Sequence, residues 1–293
     1  MNPHLVDLLR LLELERLEDN LFRGSSRDIG RAQVFGGQVL GQALSAAYAT
    51  TAGRSVHSLH AYFLRRGDFT APIVYEVDRS RDGHSFSSRR VIAIQHGEQI
   101  FHMSASFQVP EQGLEHQVAM PVVAGPESLP DAFEVPPGLR AQLPELAQRF
   151  LRREMPFEFR LVQPLDYLRP AREAPRQSLW FRAVDRLPDD DLLHRCLLAY
   201  ASDYHLVGTA LRPHGLSIAS PGVVMASIDH AMWFHRPVRV DDWLLYDMDS
   251  PSASGARGLA RASIFTREGV LVASTAQEGL IRVVPEPSGS AAV

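Results

Sequence analysis

An internal repeat limits the folds open to this chain more than any other pattern in it. The segment HAYFLRRGDFTAPIVYEVDRSRDG, residues 60–83, is echoed by HAMWFHRPVRVDDWLLYDMDSPSA, residues 230–253, and the same shift aligns IFHMSASF (100–107) with VLVASTAQ (270–277). Within each copy, short runs of alternating apolar and polar residues are separated by polar turns, which is typical of antiparallel strands. A repeat at constant spacing predicts two copies of one structural unit.

A helix is predicted before each run of strands. The candidates are FGGQVLGQALSAAYA, residues 35–49, and LLHRCLLAYASDYHLVGTAL, residues 192–211, whose length and apolar spacing favour buried helices. Matching the segment GQAL (41–44) of the first with the GTAL ending (208–211) of the second places Gly36 opposite Asp203. Since one sheet can bury its apolar face only against its own helix, we expect two such units to lie side by side.

Asp203 is the unusual residue of the second predicted helix. Its neighbours at helical spacing are all apolar or aromatic: Cys196, Ala199, Tyr200, Leu206, Val207 and Ala210. Burying an unpaired charge costs several kcal/mol at least, so such a carboxylate needs either a hydrogen-bonding partner or a chemical role. The pattern by itself leaves both interpretations open, because structural ion pairs also occupy such positions.

Composition narrows the functional classes. The chain of 293 residues is 45% hydrophobic and 22% charged with a formal net charge of −4, which indicates a globular protein without a basic field for nucleic acid or an anionic membrane. Cys196 is the only cysteine, so a disulfide framework and a cysteine-based zinc cluster are excluded. The chain lacks an apolar run long enough to predict a membrane span, and a cytoplasmic location is expected.

The chain divides into five predicted segments. Charged residues interrupt the leucines of residues 1–20, which therefore predict an N-terminal amphipathic helix and not a signal peptide. Residues 21–110 and 156–286 are the two repeated units. The proline-rich stretch 111–155 between them is predicted to be a linker with one short helix near residues 139–154, and residues 287–293 to be a flexible tail.

Several segments together resemble the acyl-CoA thioesterase II family of the TesB type. The resemblance runs from the N-terminal helix to Arg282 and is carried by LFRGSSRDIGRAQVFGGQVLGQAL, VHSLHAYFLRRGD, RDGHSFSSRRVIAIQHGEQIFHMSASFQ, YASD, ASIDHAMWFHR, WLLYDMDSPSASGARG and GVLVASTAQEG. It implies an α+β double hotdog fold, in which each long helix is wrapped by an antiparallel sheet and the two sheets join side by side. This expectation agrees with the repeat.

The resemblance also implies a site made of an Asp, a Thr or Ser, and a Gln that hold a water molecule against an acyl-CoA substrate, without a cofactor. The Asp of YASD is Asp203, the hydroxyl residue before IDH is Ser227, and the Gln of STAQEG is Gln277. Ser227 replaces the Thr of relatives, which keeps the hydroxyl but loses the methyl group that restricts its rotamer.

The chemistry of these three residue types supports the assignment independently. A desolvated carboxylate is a competent general base for water, and a hydroxyl and an amide can orient that water by hydrogen bonds. By the letter matches given above, Gly36, His57 and Phe107 occupy the corresponding positions of the first copy. The polar set is then complete only in the second copy, which predicts one catalytic site per chain.

Other motifs leave alternatives open. The pair Gly36–Gly37 at the start of a helix could offer amides to a developing oxyanion, or could only permit close packing of the helix on the sheet. His57 and His60 are expected on opposite faces of a strand, and no spacing matches a known metal site, so no metal is predicted.

Two other functions remain possible from the sequence. One is a hotdog protein that binds acyl-CoA without turnover, and the other is a hotdog enoyl-CoA hydratase, although the hydratase motif does not match Asp203 and His205. A serine nucleophile is disfavoured because the chain has no GxSxG motif. Pairing of hotdog sheets makes a homodimer or homotetramer plausible.

Overall fold

The computed structural model describes residues 1–28, 33–132, 134, 137–143, 148, 155–164, 166 and 169–284. The α-helices, numbered in chain order, are α1 (Pro3–Leu12), α2 (Gly36–Tyr48), α3 (Pro137–Arg140) and α4 (Asp191–Ala201). Short 3-10 helices span Pro126–Ser128 and Val207–His214.

The strands of the described residues form one antiparallel sheet. They are β1 (Glu15–Glu18), β2 (Leu21–Gly24), β3 (Ser55–Phe63), β4 (Ile73–Asp82), β5 (Phe86–Gln95), β6 (Glu98–Gln108), β7 (Phe157–Leu161), β8 (Arg176–Ala183), β9 (Val223–Ser227), β10 (Asp229–Phe234), β11 (Leu244–Ser254), β12 (Arg257–Thr266) and β13 (Leu271–Val283).

The two halves of the sheet have the same strand order, read outward from the centre in opposite directions. The order is β1-β2-β4-β5-β6-β3 followed by β10-β13-β12-β11-β8-β7. β9 pairs with the C-terminal part of β13, after the part that pairs with β10. β3 and β10 join the halves in antiparallel register, for example Leu59 opposite Met232 and Ala61 opposite His230. The predicted α+β double hotdog fold is therefore confirmed, with each sheet packed on its own helix and the two sheets joined at their edges.

Small residues let the two central helices approach backbone to backbone. A Cβ atom added at Gly37 would lie 2.3 Å from the Tyr200 carbonyl oxygen, and one added at Gly41 would lie 3.3 Å from the Cys196 carbonyl oxygen. Gly37 and Gly41 are one helical turn apart on α2, as Cys196 and Tyr200 are on α4. This contact brings the start of α2 beside the end of α4.

The strand pairing corrects the correspondence between the halves by one or two residues, depending on the strand. Irregularities in the pairing follow Asp78 and Ala93 in the first half and Asp249 and Ile264 in the second, so β4 and β5 match β11 and β12 with a shift one residue longer than the letters indicated. The pairing of β5 with β6 and of β12 with β13 then gives a shift two residues longer for β6 and β13. Because a slip of one residue turns every side chain to the other face of a sheet, the pairing and not the letters decides the correspondence.

The counterpart of Gln277 follows from the same ladders. Ala105 of β6 pairs with Arg89 of β5, and Gln277 of β13 pairs with Ala260 of β12. Gln277 therefore corresponds to Ala105, and the predicted match with Phe107 was wrong.

Two of the predicted helices, the N-terminal helix and the second central helix, are shorter than expected. The N-terminal helix ends at Leu12 instead of residue 20, because a two-residue turn at Asp19 and Asn20 closes a hairpin between β1 and β2. The second central helix ends at Ala201, so GTAL (208–211) belongs to the following 3-10 helix and the predicted match of Gly36 with Asp203 was wrong. The Ser202 hydroxyl caps the Ala199 carbonyl, and His205 has a left-handed φ of 65° that stops the helix.

The linker crosses the second half of the sheet. Met120, Val123 and Leu129 pack on a cluster of Trp180, Leu245 and Phe265, and the Trp180 indole donates to the Ala124 carbonyl at 2.8 Å. Most of the helix predicted near 139–154, and the tail 287–293, lie outside the described residues. Among the helices that the structure describes, none has the length and apolar character needed to cross a membrane.

Candidate active site

The three residues named from the resemblance come from three different elements. Asp203 is the second residue after α4, in the turn that leads to the 3-10 helix. Ser227 is the last residue of β9, and Gln277 lies on β13, where it shares the core face with Ala273 and Thr275. Asp203 therefore belongs to a turn and not to the apolar stripe of a helix, because α4 ends before it.

The fold brings the three side chains into mutual contact. Gln277 Nε2 donates to Asp203 Oδ1 at 2.7 Å and to Ser227 Oγ at 3.0 Å, and Ser227 Oγ lies 3.5 Å from Asp203 Oδ1. Gln277 is 1% exposed, whereas Asp203 and Ser227 are half-buried. A carboxylate, a hydroxyl and an amide thus meet at one partly open point.

The N-terminus of α2 holds the other oxygen of the carboxylate. Gly37 N–H donates to Asp203 Oδ2 at 2.9 Å, and Phe35, the N-cap residue of α2, supplies no side-chain cap. Asp203 from the second half therefore caps a helix of the first half, where the helix dipole favours negative charge. A Cβ atom added at Gly36 would lie 2.7 Å from Asp203 Oδ2, so this glycine makes room for the carboxylate.

This contact changes the interpretation of the two glycines. The Gly37 amide points to the Asp203 carboxylate, so it is not open to a substrate oxyanion in this geometry. Packing is the role that the distances favour, but it is packing of helix on helix instead of helix on sheet, since the nearest backbone atom to a Gly37 Cβ belongs to Tyr200 of α4.

One polar atom of the site, a carbonyl oxygen, has no partner among the residues that the structure describes. Gln277 Oε1 is buried and accepts no hydrogen bond from the described residues, while its Nε2 donates two. A buried carbonyl oxygen without a donor is costly, so this atom can accept a hydrogen bond from a small molecule in the site.

Sequence reasoning missed the residues that hold Ser202, the neighbour of Asp203. His230 Nε2 contacts Ser202 Oγ at 2.9 Å, and the Tyr246 hydroxyl donates to the Ser202 carbonyl at 2.7 Å. The sequence pattern around both residues predicts only that they lie on strands. Nothing in that pattern indicates a contact with the end of a distant helix.

The other sequence candidates lie apart from this site. A bulge at His57 and Ser58 turns His57 to the outer face of the sheet, so it shares that face with His60 instead of opposing it. Burial raises the pKa of the Cys196 thiol to about 12, which keeps it protonated and a poor nucleophile. Within the described residues, no group of three or more His, Cys, Asp or Glu side chains could hold a metal ion.

A large cavity lies at the other end of α4. It has a volume of about 760 Å³ and is lined by charged residues that include Asp191 at the start of that helix, Arg186, Arg239 and Asp241. These arginines are paired with carboxylates, as in Arg239 to Asp241 at 3.0 Å. The cavity is therefore separate from Asp203, which follows the last turn of α4.

Comparison with known proteins identifies the family. A family model described as acyl-CoA thioesterase matches residues 151–280, and one described as the acyl-CoA thioesterase N-terminal domain matches residues 23–108. The chain is 44% identical to acyl-CoA thioesterase 2 of Haemophilus influenzae, with 96% of this chain and 99% of the relative covered. It is 42% identical to human acyl-coenzyme A thioesterase 8, over 96% of this chain and 90% of the relative.

Solved structures agree with the sequence relatives. The crystal structure of the acyl-CoA thioesterase II TesB2 from Mycobacterium marinum has a TM-score of 0.77 and 44% identity to this chain, covering 96% of this chain and 99% of the other. A tesB protein of Mycobacterium avium has a TM-score of 0.80 and 34% identity, covering 95% and 99%. The chain thus belongs to the TesB-type acyl-CoA thioesterase II family, whose members are thioester hydrolases.

Proposed function

We propose that this protein hydrolyses acyl-CoA thioesters to the free acid and coenzyme A by direct attack of a water molecule held by Asp203, Ser227 and Gln277. The observation that carries the proposal is the convergence of the three side chains, with Gln277 Nε2 at 2.7 Å from Asp203 Oδ1 and 3.0 Å from Ser227 Oγ. The names and family of the relatives support the substrate class.

Asp203 acts as the general base. Gly37 N–H donates to Asp203 Oδ2 and Gln277 Nε2–H donates to Asp203 Oδ1, so both carboxylate oxygens are oriented. The carboxylate takes a proton from water as the water oxygen bonds to the thioester carbonyl carbon. The tetrahedral intermediate then collapses with loss of the thiolate, which takes the proton back from Asp203.

Ser227 and Gln277 orient the reactants. The Gln277 carbonyl oxygen, which has no partner among the described residues, accepts the second hydrogen of the attacking water. Ser227 Oγ accepts from Gln277 and donates only a long bond of 3.5 Å to Asp203 Oδ1, so its hydrogen can turn to the carbonyl oxygen of a bound substrate. This assigns the oxyanion donor to Ser227, since Gly37 N–H is already directed to Asp203.

Release of free thiol from acyl-CoA esters, from acetyl to palmitoyl, tests the activity. We expect turnover with the wild-type protein and a loss of roughly 10²- to 10⁴-fold in kcat for Asp203→Asn, which keeps the shape but not the basicity. The exposed Asp189 provides the matched control, and Asp189→Asn should leave kcat unchanged. Binding of acyl-CoA without thiol release would support the non-catalytic alternative, and unchanged turnover of Asp203→Asn would remove Asp203 as the base.

An isotope experiment separates direct attack from a covalent intermediate. In a single turnover with excess enzyme in H₂¹⁸O, direct attack puts ¹⁸O into the free acid and none into Asp203. If the carboxylate attacked the thioester and water then opened the anhydride at the Asp203 carbonyl, the label would appear in the protein instead. Mass spectrometry of the acid and of the peptide that contains Asp203 distinguishes the two.

A further inference from the structure

The residue before Asp203 is held at two atoms. Ser202 Oγ lies 2.9 Å from His230 Nε2 and donates to the Ala199 carbonyl at 2.8 Å, and the Ser202 carbonyl accepts from the Tyr246 hydroxyl at 2.7 Å. Ser202 and His230 are 0% exposed and Tyr246 is 1% exposed. Because the single Ser202 hydrogen goes to Ala199, His230 must donate through a protonated Nε2.

These contacts matter because regular helical structure has ended here. The last carbonyl groups of a helix have no partners within it, and the turn after α4 is not held by a ladder of backbone hydrogen bonds. The Ser202 carbonyl belongs to the peptide group that leads into Asp203. A hydrogen bond from Tyr246 to that oxygen therefore fixes the plane from which the Asp203 side chain departs.

Tyr246 also connects this turn to the strand that bears Gln277. Its hydroxyl lies 3.3 Å from Thr275 Oγ1, and Thr275 precedes Gln277 by two positions on the same face of β13. The phenol gives its only hydrogen to Ser202, so Thr275 is the donor of the second bond. Burial, with a smaller contribution from the Asp203 carboxylate, raises the pKa of Tyr246 far above its ordinary value, so the phenol keeps its proton.

We propose that Tyr246 is a positioning residue for catalysis, which sets the place of Asp203 relative to Gln277 by holding the Ser202 carbonyl. The inference depends on the proposed role of Asp203 as the general base. The chain from Thr275 through Tyr246 to Ser202 runs beside the direct bond from Gln277 to Asp203, so the same two elements are joined twice. Without the phenol hydroxyl the direct bond has to hold the geometry alone.

The first half of the molecule supplies a matched control. Tyr75 of β4 corresponds to Tyr246 of β11, because each lies three positions before the irregularity in its strand pairing, and both are completely or almost completely buried. The Tyr75 hydroxyl donates to Gln42 Oε1 at 2.7 Å, inside α2 and away from Asp203. Loss of the Tyr75 hydroxyl removes one buried hydrogen bond and loss of the Tyr246 hydroxyl removes two, but only the bonds of Tyr246 lead to the site.

The experiment compares Tyr246→Phe with Tyr75→Phe. We expect a lower melting temperature for both variants, but a fall of about 10-fold in kcat, with KM unchanged, for Tyr246→Phe alone, since displacement of a base by a fraction of an ångström slows proton transfer. In the Asp203→Asn background, Tyr246→Phe should cause no further loss, because it acts through the carboxylate that is already absent.

Each outcome decides one point. Equal kcat values for Tyr246→Phe and Tyr75→Phe overturn the positioning role while leaving Asp203 as the base. A multiplicative loss in the double variant Asp203→Asn, Tyr246→Phe overturns it as well, since Tyr246 would then act elsewhere. Normal turnover of Asp203→Asn alone is a failure of the proposed function and is recognised as such before any Tyr246 variant is measured.

Discussion

The two halves of the molecule solve the same packing problem with opposite chemistry. In the first half, β5 presents Arg89 next to Ala105 of β6, and in the second half β12 presents Ala260 next to Gln277 of β13. The large polar side chain therefore lies on β5 in the first half but on β13 in the second, and an alanine lies opposite it in each half. In both halves the polar side chain bonds to the second residue after the central helix, which is Thr50 after α2 and Asp203 after α4.

The two halves differ in how many of these polar groups have hydrogen-bond partners within the protein. Arg89 directs all of its donors to protein acceptors, including Thr50 Oγ1 at 2.9 Å and Asp82 Oδ1 at 2.7 Å. Val56, and not His57, occupies the place that corresponds to Ser227. In the first half the Arg89 side chain is therefore fully paired, whereas in the second half the Gln277 amide oxygen has no partner among the described residues. One fold thus accommodates a fully paired arginine in one half and the proposed catalytic glutamine in the other.

Replacing Gln277 by the alanine of the first half should break this difference most strongly. Gln277→Ala removes the donor to both Asp203 and Ser227, and we expect kcat for thiol release to fall roughly 10²- to 10³-fold, as is usual when an orienting polar group is lost. The variant should keep its unfolding transition near that of the wild type. A kcat within a factor of three of wild type would show that the amide is not needed.

The reciprocal change in the first half should affect stability alone. Arg89→Ala leaves Asp82 and the Thr50 carbonyl without their buried cation, and we expect the free energy of unfolding to fall by about 3 kcal/mol, with kcat of the folded protein unchanged. Denaturant unfolding and thiol release measure both quantities. Arg90→Ala, at the exposed neighbouring position, is the matched control; equal effects of the two variants would contradict the structural role of Arg89.

The second half should make the free energy of unfolding sensitive to acid through His230. The corresponding residue of the first half is Leu59, which does not titrate. Burial lowers the pKa of His230 from 6.5 to about 4. As the pH falls, the His230 imidazole of the unfolded chain therefore binds a proton near pH 6.5, whereas that of the folded protein binds one only near pH 4. Stability is therefore retained above pH 6.5 and lost as the pH falls toward 4, by up to about 3 kcal/mol from this group.

The variant His230→Leu should lose this part of the acid sensitivity. Denaturant unfolding at pH 7 and pH 4 gives the decrease in the free energy of unfolding for wild type and variant, and the decrease should be smaller in His230→Leu. The exposed His60 on the neighbouring strand serves as control, and His60→Gln should behave like the wild type. Identical decreases in all three proteins would rule out the contribution of His230.

Much of the fold could be predicted from the repeat. Two helices, each followed by antiparallel strands, appear in the order and at nearly the spacing that the letters indicate. The exact correspondence could not be predicted, because a shift that is wrong by one residue changes few letter matches but reverses every side chain between core and surface. The turn at Asp203 was also missed, since Ser202 and His205 end the helix inside an apolar pattern that continues to Ala210.

The site divides in the same way between local and distant information. The types and positions of Asp203, Ser227 and Gln277 were open to prediction from sequence resemblance. Their partners were not, because Gly37, Tyr246 and His230 are remote along the chain from the turn at Ser202 and Asp203, and only the fold brings them to it.

The sequence by itself determined the two-unit architecture. Hydrophobic periodicity and turn residues specify helices and strands over short stretches of chain, and the same pattern occurs twice in this sequence. It also determined which polar residues were available for chemistry. The tertiary structure decided how these residues are held, because a helix N-terminus of one half and a strand of the other meet the Asp203 carboxylate at hydrogen-bond distance, and a buried tyrosine holds the carbonyl of the preceding residue.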